Sequence, residues 1–117
     1  MRFPAPDDFL AAFGICPDCV SESDAFFQYS CKSRSELLKV TISFSGVADS
    51  FQVCMSIFGE DALVVSSERV RAISIFREAS QAGVKVEFDY LGLSAEAKVV
   101  LEPEPKVNWW VLSGKES

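Results

Sequence analysis

The stretch Ser67-Glu68-Arg69-Val70-Arg71-Ala72-Ile73-Ser74-Ile75-Phe76-Arg77-Glu78-Ala79-Ser80-Gln81-Ala82-Gly83 decides the fold, because it reads two ways. As a helix from Ser67 to Ala82 it opens on Ser-Glu and closes on glycine. Ala72, Ile75, Phe76 and Ala79 then take the i, i+3, i+4, i+7 spacing of one buried stripe. As a strand, Val70 to Phe76 carries the β-branched Ile73 and Ile75 that favour a pleated surface. The start and stop signals favour the helix.

Everything around this stretch points to strands. On its N-terminal side, Leu38-Val40-Ile42-Phe44 and Phe51-Val53-Met55-Ile57 alternate with polar residues, the period of a half-buried strand. Phe26 to Lys32 and Ala62 to Val65 complete four consecutive strands joined by the turns at Gly46–Ser50 and Gly59–Asp61, which favours an antiparallel meander. On the C-terminal side, Val84-Val86-Phe88-Tyr90 alternates with Lys85-Glu87-Asp89. Leu91-Gly92 turns the chain into Ala95 to Leu101, and Glu102-Pro103-Glu104-Pro105 leads rigidly into Val107 to Leu112. At the start, Pro6 to Phe13 predicts a short helix, with Asp7 and Asp8 in its first turn, Gly14 at its end, and Phe9, Leu10 and Phe13 on one side.

The fold class expected is therefore α+β. It is an antiparallel sheet of about six or seven strands carrying a short N-terminal helix and one longer helix. An all-β barrel or sandwich replaces it if Ser67 to Ala82 is a strand. One domain over 1–117 is expected, with a loose tail at Ser113 to Ser117.

Composition narrows the function. The 117 residues include ten Phe, and 49% are hydrophobic, which fits a packed core rather than a disordered chain. Seventeen acids against eleven bases give a net charge of −6. That balance opposes binding to a phosphate backbone and suits a basic protein partner. No apolar run approaches the length of a bilayer span, and the prolines and acids at Pro4 to Asp8 break any secretory pattern. A cytoplasmic protein with reduced cysteines is expected; export by another route would leave three ways to pair the four cysteines.

The chain contains no histidine, so neither a Ser-His nor a Cys-His couple can form within it. Cys16-Pro17-Asp18-Cys19 has metal or redox spacing. Structural zinc would need Cys31 and Cys54 as well, meeting across neighbouring strands, and no second close pair supports that. The pair follows a helix rather than opening one and has acids around it, which opposes redox chemistry. Neither a metal nor a cofactor is expected. Glu87 and Asp89 share one face of a strand at about 6.6 Å, a separation compatible with paired-carboxylate catalysis. Lys85 on the same face makes a solvated surface the better reading. Gly114-Lys115 and Gly92 to Glu96 lack the residues of a phosphate loop or a nucleophile elbow.

Trp109-Trp110 carries more information. Adjacent strand residues point to opposite faces, so if Val107, Trp109 and Val111 face the core, Asn108, Trp110 and Leu112 face away. Phe26-Phe27 raises the same question. With Trp110 as an aromatic anchor, Glu87, Asp89, Glu96, Glu102 and Glu104 are the expected partner-binding residues of an acidic surface. Small size, acidity and missing catalytic motifs are the composition expected of toxin-neutralising immunity proteins and phage-encoded inhibitors. The expected function is a non-enzymatic protein that sequesters a protein partner. The alternatives are a small zinc protein using Cys16 and Cys19, a pocketed small-ligand or enzymatic domain, and a homodimer joined through Trp110 and Phe27.

Overall fold

A computed structural model describes the backbone of residues 1–113 and the side chains through Trp110. The tail expected beyond Ser113 lies outside the described residues. Helix α1 (Pro6–Phe13) precedes nine strands: β1 (Cys19–Ser21), β2 (Phe26–Lys32), β3 (Leu38–Ser45), β4 (Ser50–Ile57), β5 (Glu60–Ser67), β6 (Val70–Arg77), β7 (Ala82–Tyr90), β8 (Leu93–Glu102) and β9 (Lys106–Ser113). A turn of 3-10 helix at Glu22–Asp24 separates β1 from β2. The strands form two antiparallel sheets in sequence order, β1 to β5 and β6 to β9, without closing into a barrel.

The expected helix over Ser67 to Ala82 is thus a correction. Val70 to Arg77 is strand β6, paired with β7 from Val70↔Phe88 to Arg77↔Ala82. Two local features disguise it. A register shift between Val70 and Ala72 breaks the strict alternation, so Val70 and Ile73, three residues apart, both face the core. Gly83, taken as a helix stop, sits inside β7, where a Cβ would collide with the Val99 carbonyl oxygen and lie 2.9 Å from Val100 Cα. It marks a close approach of two strands rather than the end of a helix. Among the described residues the result is nine strands and one α-helix, in place of six or seven strands and two helices.

Both sheets bury their alternating apolar faces against each other. Val40, Ile42, Phe44, Phe51 and Val53 come from the first sheet, and Val84, Val86, Phe88, Ala97 and Val99 from the second. Helix α1 closes one side of this core. Asp8 Oδ2 accepts a hydrogen bond from the Ala5 backbone N–H at 2.8 Å, and the Gly14 N–H donates to the Leu10 carbonyl at 2.9 Å. Its buried Phe9 stacks on Tyr29 at 3.9 Å between ring centres. Phe13 packs against the core too, whereas Leu10 stays 50% exposed, so the expected side of the helix is narrower than three residues.

Two hairpins turn through two residues. Ile57↔Glu60 closes around Phe58-Gly59, and Tyr90↔Leu93 around Leu91-Gly92. All four turn residues have positive φ, as a type I′ turn requires. Phe58 and Leu91 are 74% and 82% exposed, so neither is held there by packing.

Candidate functional site

Two outward faces remain, one per sheet. On the second sheet, register places Ala72, Glu87, Glu96 and Trp110 side by side across β6 to β9. The next row holds Ser74, Lys85, Lys98 and Asn108. Trp109 points the other way and stacks on Phe88 at 5.0 Å, with Phe51 of the opposite sheet at 6.2 Å. The expected division of the tandem tryptophans is what the fold shows at these two residues. Trp110 is half-buried on the outer face, beside carboxylates and without an aromatic neighbour among the described residues. The Leu112 side chain lies outside the described residues.

The acids on this face are largely paired. The Arg71 guanidinium lies 3.3 Å from Glu87, and Lys85 lies 3.5 Å from Glu96. Lys98 pairs with Glu78 at 3.2 Å while sitting 4.6 Å above the Phe76 ring. Asp89 is exposed in the adjacent row with Ser94. Glu102 and Glu104 sit elsewhere. Glu102 ends β8, six residues or about 20 Å along the strand from Glu96. It pairs with Arg77 at 3.2 Å. Glu104 is exposed in the β8–β9 connection. Of the six expected residues, Trp110, Glu87, Glu96 and Asp89 form one patch, and Glu102 and Glu104 stand at the far end of the sheet.

The cysteines do not converge. Cys31 of β2 pairs with Val40 and faces the core, while Cys54 of β4 pairs with Thr41 and faces outward. Strand β3 separates them, so the meeting across neighbouring strands that zinc would require does not occur. Burial, then the charges of Glu102 and Asp18, push the Cys31 thiol up to about 11, the reverse of what a thiolate ligand or nucleophile needs. Cys16 and Cys19 are exposed free thiols. Among the described residues no three His, Cys, Asp or Glu side chains gather in a way that would hold a metal.

The first sheet shows a different outer face, uncharged through its middle rows and charged at one end, where Lys32, Lys39, Ser56 and Asp61 align. Gln28, Ser43, Gln52 and Ser66 share one row, and Ser30, Thr41, Cys54 and Val64 the next. Phe27 packs inward against Phe3 and Phe44, each 5.7 Å away, which removes it as a homodimer contact. Phe26 turns outward instead. It lines an open cleft of about 590 Å³ with Ser43, Ser50, Gln52, Ser66 and Glu68. Sequence reasoning passed over this site because each residue reads singly as the solvent side of a strand. The available signal was the near absence of charge from the outward positions of β3 and β4.

No family profile matches the chain, and no curated protein is similar to it in sequence. Among solved structures, the fold is similar to a chain in a complex of a contact-dependent growth inhibition toxin with its immunity protein, from Klebsiella pneumoniae 342. That match has a TM-score of 0.86 and 21% identity, and covers 95% of this chain and 96% of that one. At that identity the likeness is one of fold.

Proposed function

We propose that this protein is a non-enzymatic immunity-type inhibitor, which neutralises a toxin by occupying its surface. The observation that carries the reading is the near-complete fold similarity to a chain of a toxin–immunity complex. That complex has two kinds of chain, and this chain's chemistry fits the inhibitor. It has no histidine and a net charge of −6. Its carboxylate pair, Glu87 and Asp89, lies on an open face where Glu87 is already paired with Arg71. A hydrolytic acid–base pair would instead need one acid held in an apolar pocket.

The partner is a basic protein, drawn in by the net charge and held where the Trp110 indole is desolvated beside Glu87, Glu96 and Asp89. Glu102 and Glu104, far from Trp110, contribute to steering rather than to the anchored contact. Partner and inhibitor meet in the cytoplasm, where the four cysteines stay reduced. No helix among the described residues is long and apolar enough to cross a membrane.

Native mass spectrometry of tagged protein drawn gently from its own cells, followed by growth rescue, tests the proposal. A discrete complex with a basic toxin domain is expected, and coexpression should restore growth of cells making that toxin. A bare monomer that rescues no growth ends the reading.

A further inference from the structure

The cleft beside Phe26 has a donor–acceptor inventory that points to one side-chain chemistry. Elsewhere on the same face the hydroxyls are engaged: Ser30 with Asp18 and Thr41, Ser45 with the Asp24 carbonyl, Ser56 with Asp61. Ser67, at the rim, bonds Tyr90 and the Glu68 carbonyl. Inside the cleft the side chains of Ser43, Ser50, Gln52 and Ser66 have no protein partner among the described residues. The Glu68 carboxylate has none either, although Arg69 adjoins it. The Arg69 Nε–H is committed to the Asp89 carbonyl at 2.8 Å. The cleft thus offers one unpaired carboxylate, several neutral acceptors and the ring of Phe26.

We propose that this cleft receives an arginine side chain of the basic protein partner, an inference that rests on the inhibitor reading above. A guanidinium is planar, always charged and carries five donors in a fixed fork, so it can pair with Glu68 and use the neutral acceptors at once. Its flat face stacks on an aromatic ring, which Phe26 supplies. A lysine ammonium has three donors around a point charge and is more strongly hydrated, so it fills this set less well. The Glu68 turn joins β5 to β6, and Arg69 in that turn bonds the backbone of Asp89 on the Trp110 side. The cleft and Trp110 lie on the outer faces of different sheets, so the arginine contact is separate from the Trp110 contact.

The test is an NMR titration of the whole protein with acetyl-Gly-Arg-Gly-amide, repeated with citrulline or lysine in place of arginine. Amide shifts are expected at Ser43, Ser50, Gln52, Ser66 and Glu68. Affinity should fall about tenfold for the citrulline peptide and for the E68Q protein, the loss of one charged hydrogen-bonded contact. The lysine peptide should bind more weakly than the arginine one. No shifts, shifts scattered over exposed acids such as Asp7, Glu22 and Glu104, or an affinity indifferent to E68Q would each overturn the assignment. The titration uses no toxin, so its failure leaves the inhibitor reading standing. Shifts at the cleft in a protein that rescues no growth would sink that reading and spare the cleft.

Discussion

The two tryptophans stand next to each other and do different things, because the pleat sends them to opposite faces. Trp110→Ala should weaken partner binding by about 2 kcal/mol or more and leave the melting temperature nearly unchanged. Trp109→Ala, which empties a site against Phe88 and Phe51, should cost about 3–5 kcal/mol of folding stability in urea unfolding. A large stability loss for Trp110→Ala would show that it is packing rather than contact surface. Tyr29 is the other telling residue, since its buried hydroxyl has no hydrogen-bond partner among the described residues. Tyr29→Phe should raise stability by about 1 kcal/mol at neutral pH, where the wild-type hydroxyl is desolvated for nothing; a loss would mean the hydroxyl has found a partner. Burial first, then the charges of Cys16 and Asp8, push Tyr29 from 10.0 up to about 12. The unfolded chain therefore releases that proton first. Tyr29 leaves stability untouched below pH 10.0 and erodes it as pH rises to about 12. Stability against pH should fall less steeply over that window in Tyr29→Phe, and an identical slope would refute the assignment.

At the scale of elements, the hairpins were more legible than their energetics. Leu91-Gly92 was readable as a turn, and the turn following Ile57 was legible within a residue or two, from glycine placement alone. Sequence gives no hint that bulky Phe58 and Leu91 occupy left-handed positions that suit Asn or Asp. Left-handed backbone costs a non-glycine residue about 1–2 kcal/mol, and exposure leaves little packing to offset it. Phe58→Asn and Leu91→Asn should each stabilise the fold by about 1 kcal/mol in urea titration; destabilisation would show that these side chains are packed after all. Strand β6 was the element read wrongly. Its bulge mixed the periods, and Gly83 counterfeited a helix stop. Intrinsic signals could not outweigh that, because the deciding factor was the free edge of β7. A strand whose Val84, Val86 and Phe88 are buried pairs on both sides, with β8 and β6. Strand β1 and both ends of β5 were missed for the opposite reason, being short or exposed and so lacking alternation.

Across the whole molecule, the charge of −6 is spread unevenly. The acids nearest Trp110 are tied to Arg71 and Lys85, so the long-range field owes more to acids away from that row. Glu102 is itself tied to Arg77, but Glu102→Lys with Glu104→Lys adds four positive charges and takes the net charge from −6 to about −2. That change should slow association with the partner at low salt, and the difference should vanish near 1 M salt, where the Debye length is about 3 Å. A rate indifferent to both salt and charge would remove steering from the mechanism. The amino-acid sequence by itself determined what depends on composition and short-range period: a packed, strand-rich acidic chain, its N-terminal helix, most strand positions and the absence of histidine chemistry. Only the tertiary structure decided that β6 is a strand, that there are two sheets, that Cys31 and Cys54 face apart, and that Glu102 and Glu104 lie away from Trp110. It also assembled the Phe26–Glu68 cleft from four strands and a turn. These features depend on which strands become neighbours and in what register, and pairing between distant segments is set by the burial of a shared core rather than by any local pattern.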